Sequence, residues 1–171
     1  QIDLTDGQKL VGTEYFTATP LRNRDGSRFS QLITRGTADA DNRITLNNNN
    51  LLADLDIQSI VRSNQVAAIY STGKGNHIRN INLYAVGENM PQFSGIVNLS
   101  GEIIVNTADS SALYVYAIYN WNTTMHIAGD CRLKLSSTQY GLINYGTMDI
   151  ASGAVMNIDA RFGIINGYEH Y

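Results

Sequence analysis

The chain has 171 residues, of which 43% are hydrophobic and only 16% charged. That composition suits one folded domain and excludes a disordered tail, because disorder accompanies low hydrophobicity and high charge. A net charge of −3 excludes the concentrated basic face that nucleic acid or anionic lipid would require, and no run approaches the roughly 20 apolar residues that span a bilayer.

The first residues, Gln1-Ile2-Asp3-Leu4, lack the basic region and apolar run of a signal peptide. The chain therefore reads either as cytosolic or as a piece of a larger exported protein. Residues 13–43 are polar, carry Arg22, Arg24, Arg28, Arg35 and Arg43, and contain the turn signal Asp25-Gly26. They predict a long loop or hairpin leaving the fold. Beyond them, Ile44-Thr45-Leu46, Leu55-Asp56-Ile57, Ile81-Asn82-Leu83, Val97-Asn98-Leu99 and Ile103-Ile104-Val105 predict short strands. Alternation sends every second side chain inward, so Asp54 and Asp56 read as solvent-facing partners of inward Leu55 and Ile57.

The C-terminal third repeats. Met125-His126-Ile127-Ala128-Gly129 returns 23 residues later as Met148-Asp149-Ile150-Ala151-Ser152, and Leu133 and Leu135 return as Met156 and Ile158. Tyr116-Ala117-Ile118-Tyr119-Asn120 returns as Tyr140-Gly141-Leu142-Ile143-Asn144 and as Phe162-Gly163-Ile164-Ile165-Asn166. Repeats of this length, each built of three short strands between Gly, Ser, Asn and Asp, predict stacked turns, or rungs, of a solenoid. The fold class is all-β, a right-handed parallel β-helix of about six to seven rungs. It forms a single domain over 1–171, with 13–43 as the insertion and 44–171 as regular rungs.

Within a rung, Met125, Ile127, Leu133, Leu135, Met148 and Ile150 are expected to face the core, with His126, Lys134 and Asp149 outside. Tyr116, Tyr140 and Phe162 align as one column and predict a stacked core ladder. Tyr119 and Trp121 have the opposite parity and point outward. Asn120, Asn144 and Asn166 recur at one turn, where stacked amides form a hydrogen-bonded ladder. A solenoid ends in open strands, so the chain is expected to continue into further rungs of a longer protein, or to cover an end with a partner or a second copy.

Three stretches carry a family resemblance. Ala68-Ile69-Tyr70-Ser71-Thr72-Gly73-Lys74-Gly75-Asn76-His77-Ile78-Arg79-Asn80-Ile81-Asn82-Leu83 resembles the strand-turn-strand unit of right-handed β-helices related to pectate lyases. Ile2-Asp3-Leu4-Thr5-Asp6-Gly7-Gln8-Lys9-Leu10-Val11-Gly12 looks like the entry to β-helices of bacterial surface proteins, including inverse-autotransporter passengers. Tyr140-Gly141-Leu142-Ile143-Asn144-Tyr145-Gly146-Thr147-Met148-Asp149-Ile150 is similar to rungs of pectate lyase-like adhesive domains. The resemblance covers most of the chain at the level of fold. It implies either an extracellular adhesin or a polysaccharide-cleaving enzyme that uses calcium-binding carboxylates and a basic residue.

Residue by residue, the enzyme expectation is thin. Calcium takes six to eight oxygens, and Asp54 with Asp56, or Asp39 with Asp41, supplies too few. The adjacent aspartates and Gly-His-Gly element of polygalacturonase-like enzymes do not occur. His77, His126 and His170 stand far apart, without metal-ligand spacing. No catalytic residue, metal or other cofactor is therefore assigned.

Binding is better motivated. Tyr114, Tyr116, Tyr119 and Trp121 concentrate aromatic rings, which stack on sugar faces and offer polar tips; Tyr119 and Trp121 are the outward candidates. Arg22, Arg24, Arg28 and Arg35 carry guanidinium forks suited to carboxylates and sulfates. The expected function is a non-enzymatic adhesin or passenger segment, extracellular or at the cell surface, that binds a glycan or a host or cell-surface protein. The alternatives are a polysaccharide-active enzyme or its remnant, and a structural stalk or phage-spike segment without a ligand.

Overall fold

Short alternating segments punctuated by turn residues cannot bury an apolar face alone, so they stack on neighbouring copies. The computed structural model describes residues 2–12, 30–35, 44–60, 67–86, 91–108 and 115–167, and among these every regular element is a strand. The strands are β1 (Ile2–Leu4), β2 (Lys9–Val11), β3 (Ser30–Arg35), β4 (Ile44–Leu46), β5 (Leu51–Ile60), β6 (Ile69–Ser71) and β7 (Asn76–Val86). They continue as β8 (Pro91–Phe93), β9 (Val97–Ala108), β10 (Tyr116–Asn120), β11 (Thr124–Ile127), β12 (Arg132–Asn144), β13 (Thr147–Ile150) and β14 (Val155–Asn166). All pairings are parallel, and together they make a parallel β-solenoid.

Three columns of strands run along the stack. The first is β1–β4–β6–β8–β10, then the ends of β12 and β14. The second is β2, the starts of β5, β7 and β9, then β11 and β13. The third is β3, the second halves of β5, β7 and β9, and the first halves of β12 and β14. Several strands thus run through a corner, where short separate strands were expected. The segment 13–43, expected as a loop or hairpin leaving the solenoid, contributes β3 to the third column. Its Ser30-Gln31-Leu32-Ile33-Thr34-Arg35 is rich in β-formers, a signal that the arginine content obscured; the rest of that segment lies outside the described residues.

Register converts alternation into a core. Leu55, Ile81, Ile103, Leu133 and Met156 stack in one file, and Ile57, Leu83, Val105, Leu135 and Ile158 in the next. All but the last-rung members Met156 and Ile158 are buried. Met125 and Ile127 are buried as expected, whereas Met148 is half-buried and Ile150 is exposed, because no described strand stacks on β13.

Corners need backbone that leaves the strand conformation. At the turn from the second to the third column, Asp54, Asn80 and Gly101 all have positive φ, of 58°, 49° and 63°. Asn and Gly tolerate this region, and Asp does so with a local hydrogen bond. Asn80 Nδ2 donates to Asp54 Oδ1 at 2.8 Å, and the Glu102 N–H donates to Asn80 Oδ1 at 3.0 Å. Asp54 is accordingly buried and also takes the Arg79 guanidinium at 3.3 Å. This corrects its expected solvent-facing position: the corner twists it out of strand alternation. Its neighbour Asp56 remains half-buried and accepts from Asn82 Nδ2 at 2.7 Å.

The corner between the first and second columns is laced by asparagine. Asn50 N–H donates to Asn76 Oδ1 at 2.9 Å, while Asn76 Nδ2 donates to Ser71 Oγ at 2.8 Å and to the Asn47 carbonyl. Farther along, Asn120 Nδ2 donates to Asn144 Oδ1 at 2.5 Å, and Asn144 Nδ2 donates to Asn166 Oδ1 at 2.6 Å. Phe93 occupies the preceding place in this file, so Asn120 Oδ1 is left without a hydrogen-bond partner.

Candidate aromatic site and lateral groove

The asparagine file positions the aromatic residues. With Asn120 buried and hydrogen-bonded inward, the next residue is thrown outward at the corner, and Asn122, with φ of 51°, completes the turn. Trp121 is 42% exposed. Its ring stacks with Tyr119 at 5.8 Å between centroids, 12° from parallel. One rung on, Tyr145 follows Asn144 as Trp121 follows Asn120, and its backbone N–H donates to the Asn120 carbonyl at 2.8 Å. The Tyr145 ring stands edge-on to both Tyr119 and Trp121, at 5.9 and 5.5 Å.

The patch extends along the first column. Tyr140 stacks on Phe162 at 5.1 Å and meets Tyr116 at 5.2 Å with a tilt of 33°, and Tyr116 also meets Tyr119 at 5.6 Å. The rings form the expected column, but not in the core: the tyrosines are half-buried and Phe162 is exposed. Ala117 and Ile118, and Gly141 and Leu142, turn inward in adjacent pairs, so the strand does not keep simple alternation here and the rings go outside.

The structure therefore brings Tyr119 and Trp121 together and adds Tyr145, which sequence reasoning missed although it follows the aligned Asn144. Arg22, Arg24, Arg28 and Tyr114 lie outside the described residues. Arg35 ends β3, and its side chain is likewise outside them.

A second feature appears on the outer face of the second column. His77, Asn98, His126 and Asp149 occupy successive rungs, because each is the register partner of the next. They line a groove of about 640 Å³ with Ser100 and Ile150. His77 Nε2 lies 2.8 Å from Ser100 Oγ, and His126 Nδ1 lies 3.0 Å from an Asp149 carboxylate oxygen. His77 and His126, separated in sequence, thus share one file two rungs apart, which only the strand register could have revealed; His170 lies outside the described residues. No hydrogen-bonded carboxylate orients His77 among the described residues, and no group of three or more His, Cys, Asp or Glu there could hold a metal ion.

Burial, aided by the charge of Arg79, lowers the His77 pKa from 6.5. The folded chain resists a proton that the unfolded chain accepts, so this histidine's contribution to stability is complete above pH 6.5 and declines as pH falls below it. Urea titrations from pH 7.5 to 5 are expected to show that decline, and His77→Gln is expected to flatten it; an unchanged slope in the variant would reject the assignment. Cys131 is buried, which pushes its thiol pKa up to about 11. It is an inert core residue, since the thiolate is the reactive form.

Fold and site together define a parallel β-solenoid with an outward aromatic corner and a lateral groove that two histidines line. No family profile, no curated protein and no solved structure matches the chain.

Proposed function

We propose that the chain is a non-enzymatic glycan-binding module of an extracellular or cell-surface protein, an adhesin or passenger segment of the pectate lyase-like β-helix type. One observation carries this reading: the exposed cluster of Trp121, Tyr119 and Tyr145, continuous with the Tyr116–Tyr140–Phe162 column. Such rings present apolar faces to the C–H faces of sugars, and their phenolic and indole groups hydrogen-bond to hydroxyls. A rigid ladder holds them, so little ordering entropy is lost on binding.

Trp121 is the only tryptophan, so its fluorescence reports this corner directly. Titration with neutral, uronate-rich and sulfated oligosaccharides, alongside affinity electrophoresis with and without calcium, is expected to identify a retarding polymer. Trp121→Ala is expected to weaken that binding by about thirtyfold, the loss of a typical aromatic hot spot. Loss of retardation by acidic polymers on replacing Arg22 and Arg24 would add the arginines to the site. No retardation by any polymer would reject glycan binding and leave a protein ligand or a structural role. The enzyme reading draws on the groove, with its His77–Ser100 and His126–Asp149 pairs; release of new chain ends from a polysaccharide would favour it.

A further inference from the structure

The aromatic corner and the lateral groove share rungs. Trp121 stands at the corner where the first column passes into the second, and β11 follows it from Thr124. Along β11, alternation buries Met125 and Ile127 and turns Thr124 and His126 outward. One rung on, β13 follows Tyr145, with Thr147 laid against Thr124 and Asp149 against His126. These outward pairs make a path across the flank of the second column, at right angles to the stacking direction. It leads from the rings, over two threonines, to the histidine and aspartate of the groove. From Trp121 to His126 the chain covers on the order of 15 Å, at about 3.3 Å per extended residue less the turn at Asn122. One sugar ring cannot bridge that span, and an oligosaccharide can.

The groove supplies hydrogen-bonding groups rather than cations. His126 Nδ1 donates to Asp149 at 3.0 Å, which fixes the tautomer and presents Nε2 of the neutral ring as an acceptor. Asn98, between the two histidines in the file, donates Nδ2 to the Asn76 carbonyl at 3.1 Å and keeps its Oδ1 as a second acceptor. His77 is held by Ser100 at 2.8 Å, and burial with the Arg79 charge keeps its imidazole neutral at pH 7. Acceptors in a row suit the hydroxyls of a sugar. The carboxylate of Asp149, 58% exposed, and the charge of Asp130 near His77 repel uronates and sulfates, while Arg79 is paired with Asp54 at 3.3 Å. A mainly apolar hollow with a few converging polar groups is the usual form of a small-ligand site.

We infer that the groove is a second subsite of the aromatic corner, and that an uncharged oligosaccharide lies across the flank, stacked on Trp121 and Tyr145 at one end and hydrogen-bonded to His126 and Asn98 at the other. The inference rests on the glycan-binding reading and adds the charge class and least length of the ligand.

Affinity electrophoresis through galactomannan, xyloglucan and hydroxyethyl cellulose, beside anionic polygalacturonate and heparin, tests the charge class. Calorimetric titration with a disaccharide and a hexasaccharide cut from the most retarding uncharged polymer tests the length, and circular dichroism confirms that each variant is folded. The uncharged polymers are expected to retard the chain more than the anionic ones. The hexasaccharide is expected to bind at least about tenfold more tightly than the disaccharide. His126→Ala is expected to weaken hexasaccharide binding about tenfold and to leave disaccharide binding within about twofold, whereas Trp121→Ala weakens both. Retardation by the anionic polymers equal to or above that by the uncharged ones would overturn this inference and leave glycan binding standing. Equal affinity for the two lengths, or a His126→Ala effect that is absent or equal at both, would do the same. No retardation by any polymer would overturn both.

Discussion

Replacing Phe93 with alanine is expected to cost about 3–5 kcal/mol of stability. Phe93 ends β8 and is among the largest fully buried side chains. In its file it stands between Ser71 and Asn120, where every other place from Ser71 to Asn166 holds a polar residue. The ring thus fills the corner between two polar networks, and neither a serine nor an asparagine neighbour can expand into the space it leaves. Urea denaturation followed by circular dichroism measures the loss, and Phe93→Leu, which keeps most of the volume, is expected to cost less than half as much. A loss below about 1 kcal/mol for the alanine variant would mean that the ring is not packed as described. The solenoid is quasi-one-dimensional, so a defect in mid-stack can uncouple its two halves. Trp121 fluorescence, reporting the C-terminal half, is then expected to change at a different urea concentration from the circular dichroism signal of the whole chain.

The second large effect is expected at Asn144. This residue accepts from Asn120 and donates to Asn166, and it also exchanges hydrogen bonds with the backbone of Gly146 at 3.1 and 3.3 Å. Asn144→Ala removes the shortest bond of the buried Asn120 amide, leaving it the longer ones to the Thr123 and Thr147 carbonyls at 3.3 and 3.4 Å, beside an Asn120 Oδ1 that already has no donor. Each of the lost hydrogen bonds contributes about 0.5–1.5 kcal/mol, so a total of about 2–4 kcal/mol is expected. Asn166→Ala is the internal comparison. Its side chain is exposed, water replaces the lost partner, and the cost is expected to stay under about 1 kcal/mol. Equal losses at the two positions would show that the file is not a cooperative ladder. Because Asn120 and Asn144 direct Trp121 and Tyr145 outward, Asn144→Ala is also expected to weaken any ligand held at the aromatic corner.

The fold was legible because a solenoid writes its geometry into the repeat. The copies at Tyr116, Tyr140 and Phe162 became strand partners in register, as did Met125 with Met148 and Leu133 with Met156. What alternation could not handle was the corners. Asp54 was assigned to solvent by parity and is buried, because its left-handed backbone rotates it out of the strand pattern. The tyrosine column was assigned to the core and lies outside, because two adjacent residues of that strand turn inward together. Ile150 was assigned to the core and is exposed, since an apolar position is buried only if a further rung covers it.

Length, composition and repeat period by themselves determined an all-β stack with apolar files and an asparagine ladder, because those depend on spacing along the chain. Only the tertiary structure decided which side chains meet between rungs. Rungs lie 22–24 residues apart in sequence in this region but only about 4.8 Å apart in space. That proximity gathered Tyr145 with Trp121 and aligned His77 with His126 along one groove. Each follows from register, a relation between strands that no single strand carries.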